Sequence, residues 1–173
     1  MSANEKNIID FKVVPKKEEA PVFSSGLYSW MMFLINFYNR VKKNLNIDFD
    51  SFMIMQLVVS DYVYKTNKDG VKNFKELKTM FKNHTELHKE KKLNIASIAE
   101  VLNLPRETVR RKIMNLTQKK LLDYSKSGIS IGSEYKIVFN GFVSDTVSNI
   151  SQLVKKWESS GSLKELLELN KKL

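Results

Sequence analysis

Between Leu93 and Leu122 the chain reads LNIASIAEVLNLPRETVRRKIMNLTQKKLL, two helical periodicities separated by a short break. No other stretch limits the possible folds as much. Asn94 can cap a first helix by accepting one of its free amide protons. Ile95, Ile98, Ala99, Val101 and Leu102 then recur at spacings that line about two turns of it. Asn103 is one of the few non-glycine residues that enter the left-handed region cheaply, so the chain can reverse there. Pro105 suits a helix start, where a missing N–H is no loss and a fixed φ helps. A second helix is predicted from Arg106 to about Lys119. Ala99 is small enough for a close crossing, and Val109 falls where a side chain fills the gap between the helices. With Val109, Ile113 and Leu116 turned inward, the outward positions are Arg106, Glu107, Arg110, Arg111 and Met114 or Asn115.

Small residue, tight turn and plug together describe a helix-turn-helix, whose second helix enters the DNA major groove with its N-terminal half. Here that half is the basic part. The segment resembles the winged helix-turn-helix of bacterial transcription regulators. RETVRRKIMNLTQKKLL is similar to the recognition helix of the cyclic-AMP-receptor-type regulators, whose motif reads Arg-Glu-Thr-Val-x-Arg. The resemblance implies base-reading roles for Arg106, Glu107 and Arg111 and a phosphate contact for Thr108. Lys112 stands where such motifs usually carry an apolar residue. The overall layout, helices before and after a winged core, is loosely similar to the MarR-type dimeric regulators.

The chemistry suits double-stranded DNA. Arginine binds guanine O6 and N7 in bidentate fashion and glutamate accepts from cytosine N4, each pair giving about 1–3 kcal/mol of discrimination. Arg110, Lys112 and Asn115 complete the helix's expected contacts. Lys119, Lys120 and Lys126 are expected to meet phosphates and make affinity salt-dependent. The chain carries 29 Lys and Arg against 19 Asp and Glu, a net charge of +10, and its pI of about 9.6 suits a nucleic-acid partner. Ten basic residues face four acidic ones between Lys89 and Lys126, so much of the excess surrounds this segment. A charged helix face that is merely solvated is the competing reading. The alternative function is a winged-helix module for protein interaction or replication initiation.

With three prolines and six glycines in 173 residues, long helices are favoured over a loop-rich or all-β fold. The expected class is mainly α, a winged helix-turn-helix with a small β-hairpin wing and additional N- and C-terminal helices. Residues 1–23, with Pro15, Pro21 and the charge run KKEE, read as a flexible tail. Residues 24–92 read as a helical part for core and dimerisation, 93–141 as the winged segment and 142–173 as C-terminal helices. Within 24–92, NIDFD offers Asp48 or Asp50 as a cap. The following helix, from Phe52 to Tyr62, is apolar nearly all round, which implies burial on more than one side. Phe74 to Leu87 outlines a third helix, fraying into HKEKK. LDYSKSGISIGSEYKIVF reads as a β region, with Tyr135 to Phe139 included. Near the end, Gly161 stops a helix and Ser162 with Glu165 suggests a capping box.

No apolar h-region marks a signal peptide at the N-terminus, and the apolar run GLYSWMMFLINFY is shorter than the roughly 20 residues a spanning helix needs. No membrane association is therefore expected, and the absence of cysteine fits a reducing cytoplasm. His84 and His88 lie four apart, but HTELH is not the zinc-protease pattern, and no third His or Cys completes a site. No metal and no cofactor is expected. Neither a Gly-rich phosphate loop nor a nucleophile elbow occurs, so the reading is not an enzyme. The stripe Trp30, Phe33, Phe37 and Phe52 suggests core or the interface of a homodimer, and Val147, Ile150 and Trp157 suggest the same. Operator, direction of regulation and small-molecule effector are not written in the sequence.

Overall fold

The computed structural model describes residues 22–68, 70–83 and 92–170. The first helix, α1 (Val22–Arg40), runs on through a π-helical turn, Val41–Leu45, and ends at Asn46 in the left-handed region. Val22 and Phe23, expected in the tail, belong to this helix. Asp48 caps α2 (Phe49–Asn67) by accepting from the Ser51 N–H at 2.8 Å. The short α3 (Phe74–Asn83) follows. The rest of the segment expected to continue it, with His84, Glu86, His88 and Glu90, lies outside the described residues.

The sequence-predicted pair of helices is α4 (Ile95–Leu102) and α5 (Arg106–Gln118). Asn94 accepts from the Ser97 N–H at 2.9 Å, and its own N–H donates to Ser97 Oγ at 3.1 Å. Asn103 takes the left-handed conformation, φ 51° and ψ 46°, and Pro105 precedes the first turn of α5. The hairpin of β1 (Leu122–Ser125) and β2 (Gly128–Ile131) pairs Leu122 with Ile131 and Tyr124 with Ile129. Leu93 adds one antiparallel bridge to Ile129. Gly132 is required where the hairpin closes, because a Cβ there would sit 2.2 Å from the Lys120 carbonyl oxygen.

The β reading fails beyond the hairpin. Tyr135–Val138 is α6, and a π-helical turn, Phe139–Val143, carries it without interruption into α7 (Ser144–Ser160). Tyr135, Val138, Phe139 and Phe142 are all buried, which is the i, i+3, i+4, i+7 row of a helix. This run passes over residues 141 and 142, where a boundary between parts was expected. The last helix, α8 (Ser162–Asn170), has no capping box from Ser162. That hydroxyl donates instead to the Val22 carbonyl at 3.0 Å, tying α8 to the start of α1.

A single apolar cluster runs from Val41 on the first π turn to Phe142 on the second. α2 lies at its centre, with Phe52, Ile54, Met55 and Val58 buried against α4, α5 and β2. Its all-round apolar sequence follows from contact on several sides. Phe37, Phe52 and Phe142 join α1, α2 and the second π turn at ring separations of 5.4–6.0 Å. These aromatics therefore build core, with Phe33 stacked on Phe37 beside them. Phe81, Tyr135 and Phe139 hold α3 in place. Away from this core, α1 meets α7 and α8. Trp30 and Trp157 lie 6.2 Å apart there, and the Trp157 indole N–H donates to the Gly26 carbonyl at 3.1 Å.

Candidate nucleic-acid interface

One face of α5 is sealed. Val109, Ile113 and Leu116 are fully buried, and Ala99 on α4 is nearly so. At 100° per residue these three side chains occupy one sector, and Glu107, Arg111, Met114 and Gln118 fall opposite it. All four are exposed, as are Arg106, Arg110 and Asn115 on the adjoining flanks. The expected outward set is thus brought together on one helix. Both Met114 and Asn115 are exposed, Met114 by 47%, so the periodicity places a thioether in the middle of the basic face.

Arg110 Nε donates to Glu107 Oε1 at 3.2 Å, an exposed i,i+3 pair. Such a pair is weak, and it leaves both side chains free to turn toward a stronger partner. Among the described residues, Arg106 and Arg111 have no ion-pair partner. Thr108 is half-buried on the flank.

Lys112 departs from its expected role. Its ammonium lies 2.6 Å from Asp48 Oδ2 and 3.3 Å from Asp50 Oδ2, and its side chain is only 11% exposed. Three residues after Val109 and four before Leu116, it borders the sealed sector and faces the N-terminus of α2. Burial alone would lower its pKa, but hydrogen bonding to Asp48, the Asp48 charge and Asp50 outweigh that and raise it. Burial would likewise raise the Asp48 carboxyl, yet the hydrogen bonds from Lys112 and Ser51 hold it below the ordinary carboxylate value. Lys112 is a strut between α2 and α5, and it is withdrawn from the set of free cations.

The remaining expected cations follow the helix. Lys119 is half-buried at its end, while Lys120 and Lys126 are exposed. Lys120 has φ 56°, the left-handed conformation that turns the chain from α5 into β1. Lys126 stands at the hairpin tip, where the Ser125 and Ser127 hydroxyls bond each other at 2.7 Å. Sequence reasoning did not assign contacts to Met114 or Gln118, although the row 107, 111, 114, 118 was available from helical spacing alone. Among the described residues, no group of three or more His, Asp or Glu is placed to hold a metal ion. No described helix is long and apolar enough to cross a membrane. Compared with family models, curated proteins and solved structures, the chain shows no match.

Proposed function

We propose that this chain binds double-stranded DNA as a winged helix-turn-helix transcription regulator, with α5 in the major groove. The observation that carries the reading is the exposed basic face of α5, opposite a fully buried row that fixes the helix on α2 and α4. A helix held so firmly by one side presents the other without rearrangement, which suits the insertion geometry of such motifs. The hairpin after α5, and the Leu93 bridge that extends it, support the winged form of the fold. Arg106, Glu107, Arg110, Arg111 and Asn115 are the proposed base-edge contacts, with Thr108, Lys119, Lys120 and Lys126 toward phosphates. Met114 adds an apolar surface of the kind that meets a thymine methyl group. The reading is of a binding protein and not of an enzyme.

The test is selection from fragmented genomic DNA with the purified chain, followed by a salt titration on the enriched sequence. Arg111→Ala is expected to weaken binding to that sequence about 10- to 100-fold, the equivalent of one lost bidentate contact. Helix content should stay unchanged, because the side chain is exposed. Lys126→Ala is expected to lower affinity for all sequences alike and to flatten the salt dependence. No enrichment, or equal binding by Arg111→Ala and parent at every salt concentration, overturns the proposal.

A further inference from the structure

The exposed arc of α5 is polar at every position but one. Arg106, Glu107, Arg110, Arg111, Asn115 and Gln118 all present strong hydrogen-bonding groups. Met114 stands among them with a thioether, a weak acceptor and no donor, and it is 47% exposed. It does not complete the core, because Val109, Ile113 and Leu116 seal that side without it. At 100° per residue its side chain falls within about 60° of the line opposite the sealed row. Glu107, Arg110, Arg111 and Met114 also have the spacing i, i+3, i+4, i+7, the set that a helix lying in a groove presents together.

Base edges in the major groove carry hydrogen-bond donors and acceptors, and the one apolar group among them is a pyrimidine 5-methyl. An apolar side chain set against N7, O6, N4 or N6 strips its water and returns no hydrogen bond. Against a 5-methyl group, the same side chain removes apolar surface from water on both partners. Met suits that contact, being unbranched, with three rotatable bonds and a polarizable sulfur that fit an irregular surface. Its neighbours fix where the methyl group lies. Arg110 and Arg111 stand four and three residues before it, about 5–6 Å away between Cβ atoms. Arg111 has no ion-pair partner among the described residues, so its fork is open to guanine O6 and N7. Three residues of helix rise about 4.5 Å, against about 3.4 Å per base pair of DNA. Arg111 and Met114 therefore reach neighbouring base pairs.

We infer that Met114 is a specificity-determining residue of this interface. It selects a pyrimidine 5-methyl group, that of thymine or of 5-methylcytosine, in the base pair next to a guanine held by Arg111. The inference rests on the DNA-binding reading of α5 and adds to it the class of base step that the site prefers. The competing account is that Met114 is ordinary surface filler, since Met is a good helix former. The two accounts ask different things of the DNA. Filler is indifferent to a methyl group in the groove, and a reader is not.

The test uses the full chain and the duplex it enriches from genomic DNA, with affinity read by fluorescence anisotropy at one salt concentration. Each thymine is replaced in turn by deoxyuridine, which keeps the pairing groups and removes only the methyl. Each cytosine beside a guanine is replaced in turn by 5-methylcytosine, which adds one. Expected is a position where the methyl group strengthens binding about fourfold, the effect of burying one methyl-sized group. Loss on deoxyuridine assigns thymine as the source, and gain on methylation assigns 5-methylcytosine. Met114→Ala should bind the methylated and unmethylated forms of that position equally, with unchanged far-UV circular dichroism, and Met114→Leu should keep the discrimination. Arg111→Ala should lose the preference for guanine in the adjacent pair. A methyl effect that is absent at every position, or that persists undiminished in Met114→Ala, overturns the inference and leaves the DNA-binding reading in place. A chain that enriches no sequence overturns both.

Discussion

At the scale of single residues, Lys112 shows how position within a helix decides what a charge does. Its pair with Asp48 joins two elements 64 residues apart in sequence. Because the Asp48 side chain is 61% exposed, solvent screens much of the attraction, and Lys112→Ala is expected to cost only about 1 kcal/mol in urea unfolding. Asp48→Ala should cost more, since it also removes the cap of α2. The pair has a defined pH window. Asp48 is depressed below its ordinary 3.8, so its contribution is complete above that value and is lost as pH falls through the folded-state pKa. Lys112 is raised above 10.5, so its contribution is complete below that value and is lost as pH rises through the folded-state pKa. The stability difference between parent and Lys112→Ala should therefore be flat from about pH 4.5 to 10 and shrink on either side. A difference that varied across the neutral range would remove the strut from the account. The cap at Asp48 was legible from local sequence, as were Asn94 and Asn103. The strut was not, although buried positions three before and four after Lys112 already put it beside the sealed row.

At the scale of elements, the instructive case is YKIVF, residues 135–139. Tyr135, Ile137 and Phe139 satisfy the twofold repeat of a strand, while Tyr135, Val138, Phe139 and Phe142 satisfy the helical repeat. Five residues cannot separate the two periods. The structure separates them at Ile137, which is 62% exposed, while Phe142 is 6% exposed. Ile137→Lys is accordingly expected to change stability by less than about 0.5 kcal/mol. Phe142→Ala, which empties the junction of α1, α2 and the second π turn, should cost about 3–5 kcal/mol. Thermal or urea unfolding of the two variants checks both values, and a reversed order would restore the strand reading. The helix pair around Asn103 was legible because all its determinants, cap, turn, small residue and plug, lie within one thirty-residue window.

At the scale of the whole molecule, local pattern gives way to choice of partner. Ser162 reaches Val22 across 140 residues, and Trp157 reaches Gly26 across 131. No periodicity announces such pairings, so the serine read as a cap is in fact a tie between the first and last helices. The same long-range packing divides the surface into a basic face on α5 and an uncharged one on α1. Raising KCl from 50 to 200 mM is expected to weaken DNA binding by about a factor of ten for every two phosphates contacted. A salt titration read by DNA binding checks this. The chain's two tryptophans are the pair at the α1–α7 contact, with Trp30 41% exposed. Ultraviolet emission from indole therefore originates at the α1–α7 contact and nowhere along α4, α5 or the hairpin, an optical label for that contact supplied by the native chain.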